Sequence, residues 1–205
     1  MTGKTKNDFG SGNAKYISYK NIFSNLAVNQ NNLETVLIGE NEKQNFLKYG
    51  DVLFTGSSES REEAGLSSVV TFNLDEKIYL NSFSFGLRFN DDINLNPEFT
   101  KYLFRGNAIR NAIAKSASGV TRYNISKASF RKIQIPIPPL DVQAKIVKIL
   151  DAFNALTAEL TAELTVREKQ YHYYRNNLLT FSDDVKRKKL DEVGELVRGN
   201  GLQNI

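Results

Sequence analysis

The sequence contains no cysteine among its 205 residues, and only four prolines and one histidine. Without cysteine, disulfides, zinc–thiolate sites, iron–sulfur clusters and cysteine nucleophiles are excluded. The single histidine, His172, has no acid and nucleophile at helical spacing and cannot complete a catalytic triad. We therefore predict no catalytic residue, no metal site and no cofactor.

Long apolar runs are absent as well. No stretch approaches the roughly 18–20 apolar residues that a membrane-spanning helix needs, and the polar N-terminus does not resemble a signal peptide. The hydrophobic fraction of 40% and the charged fraction of 24% are ordinary for a globular protein. These features predict a cytoplasmic protein with no membrane partner.

Acidic residues are missing from one region of the chain. Residues 1–140 carry 17 Lys and Arg against 13 Asp and Glu, whereas the remainder is balanced. Residues 99–140 contain eight cationic residues and no acidic one. Cations without neighbouring carboxylates favour a polyanionic partner such as a nucleic acid. The alternative is chance clustering on a solvated face.

The first part of the chain has the pattern of an α/β (mixed) domain. Short segments rich in β-branched and aromatic residues, bounded by Gly, Asn, Asp and Ser, predict strands. Pro97 suits the first turn of a helix, which continues past a break near Gly106. The predicted strands are 14–19, 51–55, 68–72, 83–89 and 132–136, with a helix from 97, a loop at 116–124 and a short helix at 126–130.

A long helix follows this domain. Residues 139–181 contain one proline, at the start, and no glycine. From Ile146 to Leu178, ten positions spaced alternately four and three residues apart are mostly apolar, which is the pattern of a coiled-coil seam. Because the chain has no second long periodic segment, we expect the seam to pair with another chain. The predicted interface residues are Ile146, Leu150, Phe153, Leu160, Leu164, Tyr171, Tyr174 and Leu178.

Two hydroxyl-rich segments, Ser57–Arg61 and Ser116–Asn124, carry the kinds of side chain that bind DNA in other proteins. Serine, threonine and tyrosine hydroxyls contact phosphates, and arginine and asparagine contact base edges. Turn formation is the alternative role for such residues. The predicted DNA-binding residues are Lys20, Ser57, Ser58, Arg61, Arg105, Lys115, Ser116, Ser118, Thr121, Arg122, Tyr123 and Asn124.

Several motifs occur together in an order that resembles one known family. They are Gly50-Asp-Val-Leu-Phe-Thr55, Ala117-Ser-Gly-Val-Thr-Arg-Tyr-Asn-Ile-Ser126, Ile135-Pro-Ile-Pro-Pro-Leu-Asp-Val-Gln143, two Thr-Ala-Glu-Leu units at 157–164, and Lys169-Gln-Tyr-His-Tyr-Tyr-Arg175. Together they resemble the specificity subunits of type I restriction–modification systems, and the type IC branch in particular.

The resemblance implies a non-catalytic DNA-recognition subunit. Full-length members carry two target recognition domains and two helices that pair antiparallel, and they hold methyltransferase (M) subunits and, through them, restriction (R) subunits. This chain has one such domain (1–138) and one spacer helix (139–181). Its last segment (182–205) resembles the start of a recognition domain, with an expected strand at 192–197 and a glycine-rich turn at 198–201.

The expected assembly is therefore a half subunit acting as a homodimer. Two copies would pair their helices as an antiparallel coiled coil and read a bipartite site, with the last segment completing the partner's domain. Two alternatives remain open. One is a coiled-coil interaction or scaffold protein with an incidental basic surface, and the other is an inactive truncated specificity fragment.

Overall fold

The computed structural model describes residue 1, residues 3–197 and residue 199. The chain divides into two compact units, Met1–Phe153 and Asn154–Ile205, with the division inside the long helix. All the strands of the described residues lie in the first unit.

Three small sheets form the first unit. Their strands are β1 Phe9–Ile17, β2 Glu34–Val36, β3 Val52–Thr55, β4 Ser57–Ser58, β5 Ser67–Val69, β6 Ile78–Leu80, β7 Ser84–Leu87, β8 Ala117–Ser118 and β9 Tyr123–Ile125. In the first sheet, β1 pairs antiparallel with β2 and parallel with β6. The second sheet has the order β5-β3-β7 and the third the order β4-β9-β8, and both are antiparallel.

An aromatic cluster fills the core beside the second sheet. Phe54 of β3 is fully buried and its ring contacts those of Phe85, Phe104 and Phe130, with centroids 4.9–5.3 Å apart. Such rings combine large buried apolar areas with favourable edge-to-face geometry. Through this cluster the second sheet packs against Phe104, directly after the helix Pro97–Leu103, and against Phe130, the last residue of the helix Lys127–Phe130.

The helices begin where the sequence supplies their caps. Asn96 accepts a hydrogen bond from the Glu98 N–H at 2.9 Å and Pro97 occupies the first turn of α2, while Ser126 caps α4. The predicted break near Gly106 separates α2 from α3. The helices are α1 Tyr19–Ser24, α2 Pro97–Leu103, α3 Asn107–Lys115, α4 Lys127–Phe130, α5 Leu140–Leu178 and α6 Leu190–Val193.

A buried glutamine joins the start of α5 to the first unit. The side chain of Gln143 is fully buried; its Nε2 donates to the carbonyls of Asn94 (2.8 Å) and Pro138 (2.7 Å). Its Oε1 accepts from the Asn96 N–H at 2.8 Å. A primary amide has two donors and one strong acceptor, and here each finds a partner.

A second contact lies two turns further along α5. Asp151 accepts hydrogen bonds from the Tyr102 hydroxyl (2.5 Å) and the Lys101 ammonium (3.0 Å), both on α2. The Tyr102 bond, opposed by burial and aided by Lys101, holds the pKa of Asp151 below its ordinary value. From Asp151 to Leu178 every residue of α5 is exposed.

The predicted long helix and mixed α/β class are confirmed, but two predicted strands are wrong. Residues 132–136 form no strand. Ile133 and Ile135 pack against the core from a segment without regular structure, and the prolines at 136, 138 and 139 remove backbone donors. Residues 192–197 begin as the end of α6 and continue without regular structure. The predicted turn at 198–201 lies outside the described residues except for Gly199.

The predicted loop at 116–124 is also corrected, because it contains β8 and the start of β9. The strand predicted at 14–19 begins earlier, at Phe9, and ends at Ile17. The antiparallel coiled coil with a second copy remains a prediction.

Candidate nucleic-acid interface

The third sheet brings together the two hydroxyl-rich segments. Ser57 of β4 pairs with Asn124 of β9, and Ser58 pairs with Tyr123. On the other side of β9, Ser118 of β8 also pairs with Asn124. Side chains from segments about 60 residues apart in the sequence therefore share one small antiparallel sheet.

Two arginines lie on this sheet, and both are exposed. Arg122 donates from Nε to the Ser57 hydroxyl at 3.0 Å, across the β4–β9 pair. Arg61 donates to the Ala117 carbonyl at 3.3 Å, and its guanidinium carbon lies 5.6 Å from the centre of the Tyr123 ring. Each guanidinium is thus oriented by a hydrogen bond within the protein, and that of Arg61 also by the Tyr123 ring, while the side chain remains exposed to solvent.

A tight hairpin connects β8 to β9. Gly119 has φ = +138°, and a Cβ at this position would lie 2.0 Å from the Arg122 carbonyl oxygen. Only glycine fits such a close backbone approach. The tip residue Val120 is 90% exposed, with exposed Thr121 beside it. The hairpin therefore presents one apolar side chain among polar ones.

Three of the predicted serines are buried in or next to the third sheet. Ser57, Ser58 and Ser116 are buried. Ser116 donates its hydroxyl hydrogen bond to the Ile113 carbonyl at 2.7 Å, and Ser58 donates to the carboxylate of Glu63 at 3.3 Å. These hydroxyls fix neighbouring backbone and side chains within the protein.

Arg105 is committed to the fold. Its guanidinium donates to the carbonyls of Ser67 (2.8 Å), Ile22 (3.1 Å) and Phe23 (3.0 Å). Burial, together with the nearby Arg110 charge, lowers the pKa of Arg105 to about 10. A cation used in this way joins α1 and β5 to the turn between α2 and α3, and the structure does not place it with the third sheet.

Of the two remaining predicted cations, Lys115 is near the third sheet in sequence, and Lys20 is next to a residue that contacts it. Lys115 is exposed at the last position of α3, directly before Ser116. Lys20 is exposed on α1 and follows Tyr19, whose hydroxyl donates to the Ser57 carbonyl at 2.8 Å. The predicted residues did not include Tyr19 or Val120; the glycine between two hydroxyl-rich runs was the available signal for a hairpin with an exposed tip.

The part of the chain that the structure describes lacks two features. It contains no group of three or more His, Asp or Glu side chains placed to hold a metal ion. None of its helices combines the length and the apolar character needed to cross a bilayer. His172, on α5, is exposed.

Residues 2–166 match the family described as the Type I restriction modification DNA specificity domain. Since the match covers well over half of the chain, this protein belongs to that family. The family assignment confirms the class that the sequence motifs predict, a specificity component of a restriction–modification system.

Among the similar proteins, the specificity subunit of the type I restriction enzymes EcoR124I and EcoR124II from Escherichia coli is 52% identical over 81 residues, which cover 37% of this chain and 20% of that subunit. The EcoprrI specificity subunit, also from Escherichia coli, is 43% identical over 93 residues, covering 40% of this chain and 23% of that subunit. The matched part of the chain thus spans about a fifth of these relatives.

A solved chain from work on complex assembly and conformational transition of the type I R-M system has a similar fold. Its TM-score is 0.58 at 21% identity, and the alignment covers 83% of this chain and 39% of that chain. The likeness at this identity supports the mixed α/β fold with its long helix.

Proposed function

We propose that this chain reads double-stranded DNA through its third sheet and directs a type I restriction–modification complex to its target. We define the reading surface as Arg61, Ser118, Thr121, Arg122, Tyr123 and Asn124. The observation that carries the proposal is the convergence of these polar and cationic side chains on one sheet, in a family described by DNA specificity.

The chemistry of the reading surface suits both parts of DNA recognition. Arginine and asparagine can each bind a base edge through two hydrogen bonds, to guanine and adenine respectively. The hydroxyls of Ser118 and Thr121 suit phosphate oxygens. Because the Ser57 hydroxyl accepts from Arg122, we assign Ser57 as a positioning residue that limits the directions open to that guanidinium.

Methylation mapping tests the reading surface. After co-expression with candidate methyltransferase subunits, the methylated sites of the wild-type chain define the target. Arg122→Ala should weaken or relax recognition at one position of each half-site, at a cost of about 1–3 kcal/mol. Lys43→Ala removes an exposed cation from the loop after β2 and should leave the sites unchanged. Equal effects of the two variants would contradict a localised surface.

Salt dependence separates this function from the scaffold alternative. A chain that neutralises phosphates loses DNA affinity steeply as salt rises, with log K falling by about 0.9 per phosphate for each unit of log salt. Fluorescence anisotropy with a labelled duplex between low and moderate salt measures this slope. A slope near zero would favour a scaffold whose basic surface is incidental.

We further propose that the chain acts as a homodimer paired through α5. Six of the eight predicted interface residues, from Phe153 onward, are 57–74% exposed, whereas Ile146 and Leu150 are partly buried. Two copies would bring six exposed aromatic rings into the seam, and these alone would bury about 700 Å². That is more than half of the roughly 1,200 Å² of the smallest stable interfaces.

This dimer would carry two identical reading surfaces and recognise a bipartite, palindromic site. It would act in the cytoplasm, where it would bind M subunits and, through them, R subunits. Light scattering at micromolar concentration measures the assembly directly. A stable monomer would overturn the homodimer while leaving the reading surface untouched.

The last segment of the chain is proposed to complete the recognition domain of the partner. Its apolar side chains Leu190, Val193, Leu196 and Val197 are all more than 60% exposed, which is costly unless they are covered in the assembly. Deletion of residues 190–205 should then lower the unfolding temperature of the dimer. An unchanged unfolding temperature would contradict this role.

A further inference from the structure

We infer that the two α5 helices pair antiparallel about a two-fold axis level with Ala162. This inference rests on the proposed homodimer and adds its register. The ten seam positions are symmetric about Ala162, so that residues equally far from it on the two chains face each other. The facing pairs are Leu160 with the partner's Leu164, Thr157 with the partner's Arg167, Phe153 with the partner's Tyr171, Leu150 with the partner's Tyr174, and Ile146 with the partner's Leu178.

The two polar positions of the seam select this register over the others. Thr157 lies five residues before Ala162 and Arg167 lies five residues after it, so each arginine faces a hydroxyl. Every other pair in this register is apolar or aromatic on both sides. In antiparallel coiled coils a single polar layer of this kind selects one register, because any displacement places the polar group against an apolar one.

The competing arrangements all mismatch Arg167. A parallel pair in register would place the two Arg167 side chains against each other. An antiparallel pair shifted by one heptad would place Arg167 against Leu150 or Leu164 of the partner and would leave the last two positions at one end of each seam unpaired. Burying a guanidinium against leucine or against a like charge is unfavourable because neither supplies an acceptor.

Glu163, beside the axis, has an ion-pair partner within its own helix. It is one residue from Ala162, so the two Glu163 side chains of a dimer would lie close to the axis on the same side of the seam. Each is paired with its own Arg167, whose guanidinium nitrogen is 3.3 Å from the carboxylate oxygen. The pairing therefore brings together two Glu163 carboxylates that are each compensated by an arginine.

Cysteine cross-linking tests the register in the full-length chain. Because the sequence has no cysteine, a single introduced thiol gives an unambiguous result. Leu160→Cys and Leu164→Cys chains should form a disulfide dimer when they are mixed and oxidised, and neither should do so alone. Ala162→Cys, on the outer face of the seam, is the control and should stay uncross-linked.

Charge variants at one position provide a second test that does not depend on disulfide geometry. Thr157→Arg would face the partner's Arg167 and should raise the dimer dissociation constant at least tenfold. Thr157→Glu, a change of opposite sign, should not raise it, and the double variant Thr157→Arg with Arg167→Glu should restore it. Sedimentation equilibrium measures each constant.

The outcomes separate this inference from the proposed homodimer. A wild-type monomer would overturn the homodimer and the register together. A dimer in which the Leu160→Cys chain cross-links to itself would mean parallel pairing and would overturn the register alone. A dimer without any cross-link in the mixture, or one insensitive to Thr157→Arg, would also overturn it.

Discussion

Replacing Gln143 by methionine should weaken the first unit strongly. The variant keeps the length and most of the volume of the side chain but removes its amide. Two carbonyls, of Asn94 and Pro138, and the Asn96 N–H then lose the hydrogen-bond partner that the fully buried Gln143 side chain supplies. An unsatisfied buried polar group costs about 1–3 kcal/mol, and we expect a total near the lower end for three groups, about 3 kcal/mol.

Urea unfolding followed by circular dichroism measures this loss. With a slope of about 2 kcal/mol per molar urea, the midpoint should fall by about 1.5 M. Lys148→Met, five residues further along the exposed side of α5, is the matched control and should shift the midpoint by less than about 0.3 M. The total protein concentration is kept constant, because self-association would otherwise change the apparent stability.

The result also tests the role assigned to this side chain. If Gln143→Met unfolds at the same urea concentration as Lys148→Met, the three hydrogen bonds contribute nothing measurable, and the start of α5 is held by other contacts. Gln143→Glu should lower the midpoint at least as far as Gln143→Met, since its buried carboxylate would face two carbonyl oxygens without a donor for either.

Three further changes have defined outcomes. Gly119→Ala should force the hairpin open, because the new methyl would meet the Arg122 carbonyl, and DNA affinity measured by anisotropy should fall while the unfolding midpoint changes little. Asp151→Asn should remove a pH-dependent part of the stability, because the Tyr102 hydroxyl holds the pKa of Asp151 below its ordinary value. The urea midpoint of the wild type should therefore fall more than that of the variant as the pH drops from about 5 to 2. Parallel midpoint curves for the two proteins would disprove the coupling. One additional Thr-Ala-Glu-Leu unit in residues 157–164 should lengthen the helix by about 6 Å and rotate its ends by about 40°. Methylation mapping should then find a changed gap and unchanged half-site bases; an unchanged gap contradicts a spacer role.

Local patterns in the sequence were sufficient for the helices between residues 97 and 178, whereas α1 and α6 were not predicted. The seam of α5 has a regular period over ten positions, and Asn96 with Pro97 supplies both a cap and a first-turn residue. These signals act within a few residues of one another. The strand predicted at 132–136 is wrong. Ile133 and Ile135 alternate as strand residues do, but the adjoining prolines have no backbone N–H to pair with a neighbouring strand.

Contacts between distant segments were not encoded in any local pattern. The composition of the segments at 57–61 and 116–124 identified both as candidates, but their pairing in one sheet depends on the path of the chain between them. Arg105 shows the same limit, since an arginine in an acid-free stretch suits DNA equally well until its carbonyl partners are known. For a cation, the number of internal acceptors decides between the two roles.

The third sheet holds its shape through main-chain pairing, with strands as short as two residues. The exposed side chains of Ser118, Thr121 and Asn124 take no part in this main-chain pairing. Under the proposed function, substitution of Asn124, whose amide suits a base edge, would change the preferred bases while the pairing is kept. A domain of this kind would then acquire new targets by a few point changes, while Gly119 and the buried serines keep the backbone of the third sheet in place.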